Sequence, residues 1–166
     1  MSRRVAVEAL TAAAFAPFGE VLEIAGEPDF AFNAGMAERW AGLAFPEVAG
    51  EGGRVAISLA RAAPYALPLA LTLVERHPLG SQAFMPLSSA PFLVVVATDD
   101  SGRPGQPLAF LTNGAQGVNY RRNVWHGVLT PLEGTQDFLI VDRSGPGVNL
   151  EEHRFSEPWM IGPEAP

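Results

Sequence analysis

Cysteine and lysine are both missing from this sequence of 166 residues, and their absence excludes more chemistry than any motif in it establishes. Without cysteine there is no disulfide, no thiolate nucleophile, no Cys-bound zinc and no iron-sulfur cluster. Without lysine there is no internal Schiff base, hence no pyridoxal phosphate enzyme, and no Walker-type nucleotide loop, so a nucleotide cofactor is not expected. The working groups are left as His, carboxylates, Arg, Tyr, Ser, amides or a metal ion. Charge is scarce as well. Only 17% of residues are charged against 48% hydrophobic, the balance of a chain that buries a core, and the length suits one domain over residues 1–166.

The formal net charge is -7, and no basic run exceeds a pair of arginines, so a phosphate backbone would be repelled and nucleic acid is not an expected partner. Long apolar runs are missing too. The stretch Ala62 to Val74 falls short of the roughly 20 residues that cross a bilayer. The N-terminal Met1-Ser2-Arg3-Arg4-Val5 is basic, but Glu8 soon interrupts the apolar residues behind it and no leader core develops. These features set the expectation of a soluble cytoplasmic protein without a membrane partner.

What is present is punctuation. Fifteen prolines and seventeen glycines, spread along the chain, cut it into short apolar segments, the pattern of an all-β sandwich or barrel. Expected strands are Val5–Leu10, Val21–Ile24, Arg54–Ala60, Leu69–His77, Gln82–Met85, Phe92–Thr98, Leu108–Thr112, Val124–Leu129 and Phe138–Asp142. Phe92-Leu93-Val94-Val95-Val96 reads as a strand covered on both faces. Asp99 to Pro107 reads as an exposed loop, and so does the tail after Ser156. Helical signal is confined to single turns: Thr11–Phe15 behind a threonine cap, Glu38–Leu43 and Leu150–His153.

Ionisable groups interrupt the apolar pattern in two places. On an extended strand Leu69, Leu71, Leu73, Glu75 and His77 share one parity, so a carboxylate and an imidazole stand on one apolar face with Cβ atoms about 7 Å apart. Pro78 and Gly80 then bend the chain and bring Gln82 back beside His77. The second place is Asn119-Tyr120-Arg121-Arg122-Asn123-Val124-Trp125-His126, where His126 shares its face with Val124 and Val128. Carried backward, that parity includes Arg122, a clamp for a substrate carboxylate. The structural alternatives are a hydrogen-bonded core histidine at 126 and a buried salt link between Glu75 and His77. Against the second stands the cost of two such groups on an apolar face. His153, among Glu151, Glu152 and Arg154, reads as solvated surface, Trp40 and Trp159 as packing, and Trp125 as a buttress for the His126 strand.

These residues resemble a known family. Glu75-Arg76-His77-Pro78-Leu79-Gly80-Ser81-Gln82-Ala83-Phe84, with Asn113 to Tyr120 and Val124-Trp125-His126, is similar to ureidoglycolate lyase of allantoin degradation. The likeness extends to Ala16-Pro17-Phe18-Gly19-Glu20-Val21, Asn33-Ala34-Gly35 with Glu38-Arg39, and Asp137-Phe138-Leu139 with Asp142-Arg143. It departs after Trp125-His126, where Gly127-Val128 stands in place of the family's usual proline. The resemblance implies a mainly β, cupin-like double-stranded β-helix (jelly-roll) barrel with a few short helices, a homodimer, and release of urea from a small ureide substrate. Cupins usually hold a divalent metal with a His-x-His-x4-Glu signature and a later histidine, and the matching slots here are Glu75, His77, Gln82 and His126. Two of the four are changed, which leaves metal use open.

Ureidoglycolate is a carbinolamide, so its cleavage needs a base for the hydroxyl proton and an acid for the departing urea, and no nucleophile. His77 or His126 is the expected base, an imidazole titrating near roughly 6.5. The other histidine or Tyr120 is the donor. Glu75 is a ligand if a metal binds, and otherwise a base or an orienter of His77. Gln82, Arg122 and Asn119 form the candidate substrate-binding set. Rival readings are a cupin dioxygenase or isomerase using iron or manganese, an amidohydrolase releasing ammonia, and a cupin that only binds a ureide.

Overall fold

The computed structural model describes residues 3–163. Its strands fall mainly into two sheets. The larger has the order β1 (Arg3–Val5), β17 (Glu151–Ile161), β7 (Leu69–Arg76), β14 (Trp125–His126), β9 (Phe92–Ala97), β12 (Leu108–Leu111) and β2 (Val7–Ala9), with β15 (Thr130–Pro131) also paired to β9. Only Ala6 separates β1 from β2, yet they lie on opposite edges of this sheet, each parallel to its neighbour. One N-terminal segment therefore joins the two edges and nearly closes the sheet into a barrel. The second sheet runs β3 (Gly19–Leu22), β13 (Gly117–Tyr120), β8 (Gln82–Pro86), β16 (Gln136–Ser144), β6 (Arg54–Ala62). Two small hairpins, β4 (Phe30–Phe32) with β5 (Ala37–Arg39) and β10 (Asp99–Asp100) with β11 (Arg103–Pro104), complete the strands. The helix α1 (Ala12–Phe15) is one turn, capped by the Thr11 hydroxyl accepting from the Ala14 amide.

Burial follows from this layout. Phe92, Val94, Val96 and Phe110 of the larger sheet meet Val21, Phe84, Val118, Tyr120 and Phe138 of the smaller one, forming the core between the sheets. The alternate residues Leu93, Val95, Ala97, Ala109 and Trp125 pack with Val5 and Ile161 on the reverse face of the larger sheet. All six residues of β9 are buried, as its unbroken apolar character requires. The architecture is the mainly β, cupin-like barrel that the family resemblance implies.

Several local expectations need correction. Glu38–Leu43 is no helical turn: Glu38 and Arg39 lie in a hairpin strand, after a turn in which Asn33 and Ala34 take positive φ. Glu151–His153 form no helical turn and Glu157–Ile161 no loop: both belong to β17, the longest strand, which pairs with both β7 and β1, while the last three residues of the expected tail lie outside the described residues. Asp99 to Pro107 contains the exposed β10–β11 hairpin. The strand expected over Val124–Leu129 is cut to two residues. Between the pairs His126↔Val96 and Thr130↔Leu93 the chain advances four residues against three, a bulge that turns Val128 out to solvent and ends its shared parity with His126.

Candidate active site

The constellation forms where two rows of side chains face each other across the core. On the larger sheet Glu75 and His126 are directly paired across β7 and β14. On the smaller sheet Tyr120, Gln82 and Asp142 form a row, since Gln82 pairs with Tyr120 on one side and Asp142 on the other. His77 sits one residue beyond β7. The His126 ring stacks on Tyr120 with centroids 4.2 Å apart and planes within 6°, and its centroid lies 5.2 Å from that of His77. His77 Nε2 is 3.9 Å from a Glu75 carboxylate oxygen.

Alternation sends Arg76 the other way. Its guanidinium pairs with Glu151 and Asp99 at 2.6 and 2.8 Å and lies over the Trp125 ring, whose indole N–H donates to Asp99. Trp125 and Arg76 thus buttress the strands from behind. His153 is no solvated residue: half-buried, its ring lies 5.2 Å from Phe155 and 6.2 Å from Trp125, centroid to centroid.

Both histidines are held by the same device. Nδ1 of His77 lies 2.7 Å from the Asn149 carbonyl and Nδ1 of His126 lies 2.9 Å from the Gly127 carbonyl. A carbonyl only accepts, so each Nδ1 carries the proton and, in the neutral ring, each Nε2 is left as a lone pair. Both Nε2 atoms and the Gln82 side-chain oxygen are buried without a hydrogen-bond partner among the described residues. Burial pushes the His126 imidazole down to about 3, with the Gly127 carbonyl opposing the shift and His77 adding to it. Burial also raises the Glu75 carboxyl above its ordinary value, His77 pulling against this and Glu152 adding to it. The Tyr120 hydroxyl, fully buried and close to Glu75, is raised as well and stays protonated at any physiological pH.

Two turns carry the site, and Glu47 clamps them together. Its main chain exchanges bonds with Ser81, its carboxylate accepts from the Arg122 amide, and the Asn123 amide donates to the His77 carbonyl. Gly80 is needed at the first turn because a Cβ there would come within 2.6 Å of Arg143 Cβ. Asn123 takes φ 69, a left-handed conformation that asparagine tolerates. That reversal breaks the parity between His126 and Arg122, so Arg122 stands exposed on the turn and does not continue the His126 face. Asn119 does not join the constellation either. One residue before the inward Tyr120, it donates to Glu20 at 2.7 Å on the opposite side of the sheet.

Two residues to which the sequence assigned no role enter the arrangement. Asp142 continues the inward parity of Phe138 and Ile140 on β16, the same signal that marked Glu75. Asn149 sits in a loop, where it accepts His77 Nδ1–H with its backbone and the Leu79 amide with its side chain. No periodicity could have pointed to it.

Cupin barrels usually carry a divalent metal here, and the donors fit one. Ligand atoms of Glu75, His77 and His126 lie within 4.8 Å of one another, two of them unpartnered imidazole nitrogens whose second nitrogens are fixed by carbonyls. Fold and site together define a cupin-type barrel with a buried carboxylate and two imidazoles at its centre. The particular family is given by sequence. The model of the ureidoglycolate lyase family matches residues 2–162, and the chain belongs to that family. It is 60% identical over 159 residues to a ureidoglycolate lyase of Chelativorans sp. (strain BNC1), covering 96% of each chain. It is 56% identical to the Mesorhizobium japonicum enzyme of the same name, covering 95% of this chain and 97% of the relative, and 54% identical to that of Agrobacterium fabrum, covering 93% of each.

Proposed function

We infer that this chain is a ureidoglycolate lyase of purine (allantoin) degradation, cleaving ureidoglycolate to glyoxylate and urea by proton transfer. The observation that carries the inference beyond family membership is the set of acid-base groups, Glu75, His77 Nε2 and His126 Nε2, gathered in a core of a chain that has no thiol or lysine amine. The substrate hydroxyl gives its proton to a base, the oxygen's electrons form the carbonyl, the carbon-nitrogen bond breaks, and the urea nitrogen takes up a proton. No water is consumed. His126, held down to about 3, is too weak a base for this step and acts as a neutral acceptor, which leaves His77 as the base with Glu75 beside it. Tyr120, held protonated, is the proton donor to the departing urea. A divalent cation, if held by Glu75, His77 and His126, would take the His77 Nε2 lone pair and, in place of that base, polarise the substrate hydroxyl and lower its pKa.

Incubation with racemic ureidoglycolate, with and without chelator, tests the reading. Glyoxylate and urea in equal amounts, without ammonia, are expected; ammonia in place of urea, or saturable binding without turnover, overturns it. Activity lost on chelation and restored by a divalent cation assigns the ion to the triad, whereas activity that survives chelation assigns the proton transfers to side chains alone.

We also propose that the chain works as a homodimer through the outer face of the smaller sheet. Rows of apolar residues cross that face in register, Leu59 with Leu139 and Met85, and Ile57 with Val141 and Ala83. Ile57 and Leu59 are 74% and 72% exposed, an apolar surface that a self-complementary contact would cover.

A further inference from the structure

Gln82 and Asp142 stand opposite each other on β8 and β16, with the amide nitrogen 3.2 Å from a carboxylate oxygen. An ionised carboxylate can only accept, so the amide must turn its NH2 toward Asp142 and its oxygen away. That oxygen is buried and has no hydrogen-bond partner among the described residues. The wall opposite Glu75 and His126 therefore presents an acceptor, and it does so because of Asp142. Were residue 142 a donor, the same amide would turn around and present NH2 instead.

We propose that Asp142 is a positioning residue that sets substrate specificity: it holds the Gln82 amide so that its oxygen accepts an N–H of the substrate's ureido group. The inference rests on the lyase reading and names the half of the substrate that this wall recognises. Apart from its hydroxyl, the donors of ureidoglycolate are its ureido N–H groups, and its carboxylate and carbonyl only accept. An amide oxygen matches the ureido N–H groups; an amide NH2 would face them donor to donor. A buried acceptor left without its donor is costly, so the preference is strong. The Glu75, His77 and His126 triad is left to the hydroxyl-bearing carbon.

The test uses D142L, nearly isosteric, which removes the acceptor that holds the Gln82 NH2 and leaves the amide free to turn. The Michaelis constant for ureidoglycolate should rise about tenfold, with the smaller effect on turnover. Inhibition by urea should weaken in step while inhibition by glyoxylate stays as in the wild type. The double variant D142N/Q82E transposes the carboxylate: the new amide donates to the new carboxylate, which keeps the cross-strand bond and leaves an oxygen on the wall whichever way it turns, so its Michaelis constant should stay near wild type. A residue that only braces the barrel would shift melting temperature without this split or this rescue. A folded D142L with wild-type Michaelis constant, equal weakening of urea and glyoxylate inhibition, or a folded double variant no better than D142L overturns the proposal. If D142L fails to fold, the double variant alone decides: folded with a near-wild-type constant it supports the proposal, folded with a constant raised tenfold or unfolded as well it refutes it. A wild-type chain without lyase activity fails the parent reading instead, which separates the two.

Discussion

At the scale of single residues the site is governed by which atoms are left over once the protein has made its own bonds. His77 and His126 each give up one nitrogen to a backbone carbonyl, and the remaining nitrogen has nowhere to turn but the core. Replacing His77 by Ala should lower turnover by about 10² to 10⁴, the usual contribution of a positioned general base. Near-normal turnover of that variant in a steady-state assay would remove His77 from the reaction. His126 makes a separate prediction about stability. Its imidazole titrates near 6.5 when unfolded and about 3 when folded, so the stabilising share of the neutral ring is complete above pH 6.5 and is lost as pH falls toward 3. Glu75 acts in the opposite sense, contributing most below its ordinary value of 4.5 and losing that contribution as pH rises through its elevated folded value. Denaturant midpoints measured across pH should therefore fall below pH 6.5, and His126→Gln should flatten that limb. An unchanged slope would show that the ring is not buried neutral.

At the scale of elements the reactive residues depend on short turns locked to one another. The side chain of Asn149 fastens the Leu79 amide while its backbone fixes His77, so Asn149→Ala should loosen the turn after β7. We expect a loss of about 1 kcal/mol of stability from the missing hydrogen bond, with Asn149→Asp milder because an acceptor remains. Turnover should fall together with the melting temperature, read by calorimetry and assay on the same samples. This is also the scale at which the sequence was least legible. Strands that alternate or run apolar, such as β7, β8, β9 and β16, announced themselves, and with them Glu75, His77 and Gln82. β13 did not, because glycine and asparagine are residues that strands seldom favour, and Gly117 and Asn119 make up half of it. The glycine is there because a Cβ would come within 2.5 Å of the Phe84 carbonyl. β17 was hidden by its charged start and by Pro158: its pairing with β1 and β7 is a property of distant partners rather than of its own composition. Arg122 and Asn119 were misplaced for related reasons, the first by a left-handed residue no periodicity reveals, the second by an unrecognised strand.

At the scale of the whole molecule the chain gathers apolar side chains into two buried cores and also leaves some of them exposed on the outer face of the smaller sheet. If the exposed face joins two copies, I57E combined with L59E should yield a monomer in sedimentation or light scattering, with the barrel intact by circular dichroism. Wild-type chain running as a monomer, or the double variant remaining a dimer, would move the contact elsewhere. The N-terminal segment that joins both edges of the larger sheet has a different consequence, one that concerns time. Arg3 is in register with Trp159, so the contact that closes the barrel spans nearly the full described chain, and it cannot form while the C-terminal part is still inside the ribosome. Pairings so distant are slow, because a large loop must be ordered before any of them rewards it. The nascent chain thus passes through a stage in which β7, β14, β9, β12 and β2 can already pair while the β7 edge still waits for β17, and that open sheet is the species most prone to aggregate.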